Sequence, residues 1–493
     1  MAALRAPGKK TTRRIAPPAI SARLSGHITL ETRADGSIAA FFDGQGVGLG
    51  KFSAAAIKRA AGLRAGLPLA SFAGGRAVDK EIDLLVRRLA LRGLLDYRLA
   101  RARDDKDQVV IEPQGPGYWP QAPAVGDDET VVLSRFAYLR RRGNEMVLES
   151  PRAGALFRIC DPEIAAAIAK LSTPQKIKTF RRTKGFPGLE LLALLLDCRI
   201  LFKLDKADGE GLRLAEGDQN LVLWDFHDLL FHTHSTEGRQ ANPLGGLYPY
   251  ADVMAPPPAV RPRWPGKAID LGKFVATPSQ QPSPVARLLR ERHSTRDFDD
   301  GKPITLAELS RFLDGAARVH SKWKSTVDLG DGNGPEVDYA ARPYPAGGSA
   351  YELELYLAVA NCEGLPRGFY HYDADRHALV PIGAGTAELG ALFASAKFAM
   401  DAPAAPQILI TIAARFDRVS WKYSSIAYSL VLKDAGVLIQ TLYLMATGLQ
   451  LGGCAIGSIN IELFAKITGI EFHIEGPVCQ FALGRGSPTE AAG

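Results

Sequence analysis

Apolar positions recur at helical spacing over residues 306–317 and through an uncharged stretch at 435–461. Short apolar runs bounded by glycine and proline predict strands near 353–359, 407–413 and 480–483. The uncharged stretch is long enough to span a membrane, but Gln440, Thr441, Gln450 and the pair Gly452-Gly453 make it a poor span. It predicts instead a fully buried helix over about 434–447, stopped by Gly448, and a core strand near 451–456. With a further helix at 284–290, this alternation predicts an α/β domain, a sheet covered by helices.

Upstream, two segments share one plan. The first has a hairpin at 27–42 turning at Asp35-Gly36, helical stretches ending at 79–92 before Gly93, and a hairpin at 95–111 turning through Asp104-Asp105-Lys106-Asp107. After a Pro/Gly-rich linker at 113–128 come a hairpin at 136–149 around Gly143-Asn144, helices from Asp161, an apolar run at 189–196 and a strand at 200–204. The expectation is two small winged-helix-like α+β domains, at 21–112 and 129–205. A disordered basic tail at 1–20 precedes them, and a helix and Pro-rich connector at 219–283 follows. Arg140, Arg141, Arg142, Lys176, Lys178, Arg181, Arg182 and Lys184 gather in the second segment. Three readings stay open for them: DNA phosphate contacts, a solvated basic face, or charges beside a hairpin edge that captures an acidic peptide as an added strand.

Composition narrows the class. A chain of 493 residues, 46% hydrophobic and 23% charged, has the material for several globular domains and is neither fibrous nor disordered. Cys160, Cys198, Cys362, Cys454 and Cys479 are scattered, form no CxxC pair and are odd in number, so the expected location is a reducing cytoplasm. The first 27 residues contain no acid and include Arg13-Arg14, but Pro17-Pro18 and the missing apolar run argue against a targeting signal. The net charge of +7 suits an acidic or phosphorylated ligand without choosing one. His227, His232 and His234 are not spaced to share a metal with a fourth ligand, so no metal is expected.

The candidate chemistry is concentrated in the last two fifths. Arg292-His293-Ser294-Thr295-Arg296 gathers anion-binding groups just ahead of the helix predicted at 306–317, where two Arg forks can grip phosphate or ribityl oxygens. Three Gly-rich breaks follow: Arg342-Pro343-Tyr344-Pro345-Ala346-Gly347-Gly348, Gly452-Gly453-Cys454-Ala455-Ile456-Gly457 and Gly484-Arg485-Gly486. Each lets backbone approach a flat ligand. No GxGxxG opens a βαβ unit and no GxxxxGK[ST] occurs, so neither a Rossmann site nor a P-loop is supported.

RHSTRDFD, residues 292–299, resembles the FMN-binding opening motif of the nitroreductase superfamily, over a domain at about 284–488. RPYPAGGSAYELELYL (342–357), GFYHYDADRHAL (368–379) and WKYSSIAYSLVLKDAG (421–436) are similar to the SagB-type, cyanobactin-oxidase-like azoline dehydrogenases. WDFHDLLFHTHS (224–235) resembles the region preceding their catalytic domain. The resemblance implies a nitroreductase-like α/β (α+β) domain. Within it, Arg292, His293, Ser294 and Arg296 would hold the ribityl phosphate and flavin edge of FMN, Arg485 would add phosphate charge, and Pro345, Ala346, Gly347, Gly348, Ile456 and Gly457 would meet the isoalloxazine through backbone groups. Where the family commonly has Pro-Ser-Ala-Gly, this chain has Pro345-Ala346-Gly347-Gly348, which removes a hydroxyl and leaves backbone donors. The resemblance makes Lys422 and Tyr423 the catalytic pair. Aromatising an azoline sends one hydrogen to FMN as hydride and needs a base for the other, and a lysine qualifies if burial or a neighbouring cation lowers its pKa.

The activity implied is oxidation of thiazoline or oxazoline rings to azoles in a ribosomally made precursor peptide. Dioxygen is the expected reoxidant and a cyclodehydratase a partner; the enzyme would be a homodimer, with its leader peptide taken up by the N-terminal domains. Neither a membrane nor nucleic acid is an expected partner. Two alternatives stand beside it: an NAD(P)H-dependent nitroreductase or flavin reductase on small molecules, and a DNA-binding flavin-sensing regulator.

Overall fold

The structure is a computed structural model that describes residues 19–42, 45–72, 74–100, 106–115, 117–180, 187–204, 216–236, 251–261, 263, 265–275, 283–328, 330 and 334–487. Two compact units divide the chain near Val222, and residues 223–237 belong to the second.

In the first unit the expected hairpins form. Thr29–Thr32 pairs with Ser37–Phe42 across a turn in which Gly36 has φ +80°, and Tyr138–Arg142 pairs with Glu145–Glu149 across Gly143 at φ +59°. Helix Ala77–Ala90 ends three residues before Gly93, and Asp161 caps helix Pro162–Ala169 by accepting the Glu163 N–H. The segments at 21–112 and 129–205, expected as separate domains, share one antiparallel seven-stranded sheet and one core. The seam is the pairing of Val109–Pro113 with Ala155–Ile159, where Val109, Ile111, Ala155 and Phe157 are fully buried. Burying both strand faces against common apolar neighbours makes one core from two segments too small to bury their own. Of the basic tail, residues 1–18 lie outside the described residues, while Ala19 and Ile20 open strand Ala19–Leu24.

The second unit is built on a six-stranded sheet in the order Ala378–Ile382, Gly368–Asp373, Leu353–Val359, Ile408–Arg415, Glu475–Gly484, Gly452–Ile456. Every neighbouring pair is antiparallel, which makes the domain α+β. The central strands are buried almost throughout, so they read as continuous apolar runs rather than alternating ones.

Helix Ala427–Gly448 lays Ala427, Val431, Asp434, Leu438, Leu442 and Ala446 toward the core at three- and four-residue steps. Its length and apolarity would suit a membrane span on those grounds alone. The expectation of a fully buried helix is corrected here: only one face packs, and Ile426 and Val437 remain exposed on the other within a single chain. Helix Leu306–Ala317 starts at a capping box, with the Thr305 side chain accepting the Glu308 N–H and Glu308 accepting the Thr305 N–H.

Candidate active site

Residues 292–296 leave the end of helix Pro284–Glu291 and run beside two glycine-rich segments. The Thr295 N–H donates to Gly453 O at 2.9 Å, and Phe298 bridges Gly486. Only glycine fits at this seam, because a Cβ on Gly452 would come within 2.6 Å of buried Thr295 and one on Gly453 would strike the Phe481 ring. The close approach expected of these breaks is thus used first to pack the chain on itself.

Tyr443, from the long helix, organises the rest. Its hydroxyl lies 2.8 Å from Ser294 Oγ and accepts the Ala455 N–H at 2.8 Å, and the Arg292 guanidinium sits 5.0 Å above its ring. His293 is exposed, with Nδ1 3.0 Å from Glu291 O, and Arg296 is exposed beside it. Together with Thr295, Gly452-Gly453 and Ser487, His293 and Tyr443 line a cleft of about 460 Å³, within the usual range for small-molecule sites.

Arg485 does not join this group. Its guanidinium lies 2.8 Å from both carboxylate oxygens of Glu308, and its N–H donates to Gln407 Oε1. That pairing holds the Glu308 carboxyl down to about 2. The N-terminus of helix Leu306–Ala317 is therefore closed by its own capping box and Arg485. The segment expected to bind an anion sits at the end of the preceding helix, not at the start of this one.

The second group assembles around Pro345, Ala346, Gly347 and Gly348. The Gly347 N–H donates to Asp434 Oδ2 at 2.7 Å, and Lys422 Nζ donates to Gly348 O at 3.2 Å. Gly348 has φ +58°, and a Cβ there would lie 2.5 Å from the Tyr423 hydroxyl and 2.7 Å from Lys422 Nζ. The predicted catalytic pair and the predicted flavin loop, some 75 residues apart in sequence, are thus in contact. Lys422 is exposed and Tyr423 half-buried. Asp434 and Tyr443 stand nine residues apart on one helix, so the two groups are separated by about 13 Å along its axis. Ile456 is buried at the end of its strand and Gly457 is exposed just beyond it.

Beneath the loop lies a pair of carboxyls that the sequence reading missed. Glu352 is fully buried, neither of its oxygens meets a hydrogen-bond donor, and its neighbour is the buried Asp434. Burial, reinforced by the Asp434 charge, pushes the Glu352 carboxyl up to about 7, and burial raises Asp434 as well. Two carboxyls so close in a dry site are costly to ionise together, so the protonated form is favoured. The signal available was Asp434, an acid in a long apolar stretch, read there only as a helix boundary; Tyr443 interrupts the same stripe.

The residues fit a flavin nucleotide in kind. Arg292, His293, Ser294 and Arg296 offer cationic and neutral donors beside the cleft, and exposed Gly348 and Gly457 present backbone without side chains. Arg485 is the exception, its charge being committed to Glu308. Among the described residues no cluster of His, Cys, Asp or Glu is arranged to hold a metal ion.

A model described as the nitroreductase family matches residues 289–485, and one described as cyanobactin oxidase ThcOx matches 131–241. A protein of Methanocaldococcus jannaschii named as a nitroreductase, MJ1384, is 30% identical over 198 residues, covering 40% of this chain and 89% of the relative. The Escherichia coli microcin synthetase McbBCD complex, solved with truncated pro-MccB17 bound, aligns at 19% identity over 57% of this chain and 100% of the matched one, with a TM-score of 0.39. A crystal structure of a protein named as a nitroreductase from Ralstonia eutropha JMP134 aligns at 23% identity over 43% of this chain and 88% of that one, with a TM-score of 0.33. The chain belongs to the nitroreductase family, as an oxidoreductase whose nitroreductase domain is preceded by a segment of the cyanobactin oxidase type.

Proposed function

We propose that this chain is an FMN-dependent dehydrogenase that oxidises thiazoline or oxazoline rings to azoles in a ribosomally synthesised precursor peptide. The observation that carries the proposal is the contact of Lys422 and Tyr423 with Gly348, which puts a basic and a phenolic side chain on the loop expected to face the flavin. The cyanobactin oxidase match over 131–241 supports the same substrate class.

FMN, when bound, supplies the acceptor for the hydride that leaves the azoline ring. Arg292, His293, Ser294 and Arg296 hold its phosphate and ribityl end, with Tyr443 fixing Ser294 and carrying Arg292 on its ring. The loop from Pro345 to Gly348 and the turn at Ile456-Gly457 present backbone toward the ring system. Asp434 anchors the loop through Gly347. Lys422 is exposed in the chain alone, so Lys422 Nζ would take the second ring hydrogen as a proton only where the bound flavin and peptide bury it, with Tyr423 orienting it. Dioxygen is the proposed reoxidant.

Peptide capture falls to the first unit. Strand Tyr138–Arg142 is an outermost strand of the seven-stranded sheet, so its free edge can take a leader peptide as an added strand. Arg140 pairs with Glu149, Arg142 with Glu112, and Lys178 with Asp128, so these side chains are partly neutralised before any phosphate backbone is met. The enzyme works as a cytoplasmic homodimer beside a cyclodehydratase in this account.

The 30% identity to a protein named as a nitroreductase favours a second reading, an NAD(P)H-dependent reductase of small aromatics. Incubating the flavin-loaded protein with an azoline-containing peptide and, separately, with NAD(P)H and a nitroaromatic decides between them. Loss of two hydrogens per ring by mass spectrometry supports the dehydrogenase; peptide-independent NAD(P)H oxidation alone supports the reductase.

A further inference from the structure

Lys422 and Tyr423 occupy a short link between helix Phe416–Ser420 and helix Ala427–Gly448. The link has little packing of its own: Trp421 and Ile426 are more than half exposed, and Lys422, Ser424 and Ser425 are exposed too. Ser425 holds φ +42°, a conformation that persists only when the flanking structure imposes it. Beyond the Lys422 bond to Gly348 O, what fixes the link acts through the helices that flank it.

Both flanking helices touch one element, helix Phe226–His234, from the stretch that the sequence singled out for its aromatic and histidine content. At the first end, the Phe416 ring lies 4.6 Å from Trp224 and 5.0 Å from His232. At the other, the Tyr428 ring packs against His232 at 5.4 Å and Phe231 at 6.0 Å, and its hydroxyl lies 3.0 Å from His232 Nδ1. Asp228 Oδ2 accepts the Tyr428 N–H at 3.3 Å, placing a carboxyl at the first turn of a helix whose own N-cap, Ile426, supplies no side-chain cap. Trp224 is tied down in turn, donating from Nε1 to His473 O at 2.8 Å. His232 is fully buried at the centre.

We propose that helix Phe226–His234, acting through His232 and Asp228, is a clamp that positions Lys422 and Tyr423 over the Gly348 loop. His232 and Asp228 are positioning residues; they touch Tyr428, not substrate. This rests on the reading of Lys422 as the base, and it gives this part of the segment matched to the cyanobactin oxidase model a task inside the catalytic unit.

The test uses the full-length, flavin-loaded protein and the variants His232→Phe, which keeps a ring and removes the bond to Tyr428, and Asp228→Asn, which keeps shape and removes the charge. Hydrogen exchange reads the clamp without reference to activity. Amides of residues 421–426 exchange roughly tenfold faster in either variant, while those of strand Leu353–Val359 are unchanged. In turnover of an azoline peptide, kcat falls roughly tenfold with KM unchanged. His232→Gln, which restores a polar partner for the Tyr428 hydroxyl, recovers most of the loss. Asp228→Asn carries the test if His232→Phe does not fold. Unchanged exchange at 421–426 in both folded variants overturns the clamp. Faster exchange in variants of a parent that never oxidises azolines leaves the clamp standing and overturns the proposed reaction instead.

Discussion

Glu352→Gln tests the buried carboxyl pair. The folded chain keeps the Glu352 proton up to about pH 7, whereas the unfolded chain releases it near 4.5, the ordinary value for the group. A raised carboxyl pKa contributes stability that is fully present below 4.5, is lost as pH climbs toward 7, and changes no further above it. At about 1.4 kcal/mol per pH unit the loss is on the order of 3 kcal/mol across that window. Glutamine removes the titration and gives Asp434 a permanent amide donor, so the variant should lose much less stability over the same range and melt several degrees higher relative to its parent at pH 8 than at pH 4.5. The assay is thermal unfolding of both proteins from pH 4 to 9. His371 and Glu475 also have raised pKa values, so the quantity to follow is the difference between the two proteins. Parallel profiles would refute the favoured protonated form.

Gly348→Ala adds a Cβ 2.5 Å from the Tyr423 hydroxyl at a left-handed position, so it should abolish turnover by displacing the pair while the fold survives a cost of about 1 kcal/mol; circular dichroism and kcat check both. Lys422→Ala should purify yellow and inactive, whereas Arg292→Ala should purify with little flavin, as absorbance near the flavin bands reports. Glu308→Gln keeps the capping box, whose acceptor glutamine can supply, but removes the charged partner of Arg485, and should destabilise by about 1 kcal/mol at neutral pH. Because Arg485 holds the Glu308 carboxyl down to about 2, the parent keeps this contribution above pH 4.5 and loses it as pH falls toward 2, so parent and variant should converge in acid.

Local patterning made most elements of the second unit legible. Helix Leu306–Ala317 and strand Leu353–Val359 coincide with their apolar periods, and Gly452–Ile456 follows the long helix as its glycine stop predicts. That helix begins eight residues earlier than its uncharged stretch, because Ala427, Tyr428 and Val431 extend the buried stripe through a segment whose outward positions are Ser429 and Lys433. Pairings across sequence were not legible. The seam joining Val109–Pro113 to Ala155–Ile159 crosses a Pro/Gly linker, and nothing local in either strand names its partner. The resemblance made Arg485 a phosphate grip; its partner, Glu308, lies 177 residues away and is not legible locally. Glu352 and the clamp around His232 were hidden for the same reason: a single acid or histidine gains its meaning from the residues that bury it.

The most direct measurement is mass spectrometry of an azoline-containing precursor peptide incubated in air with the flavin-loaded protein and with its Lys422→Ala variant. The account predicts loss of two hydrogens per ring with the parent and an unchanged mass with the variant. Equal conversion by both, or none by a parent that binds flavin and peptide, would contradict it.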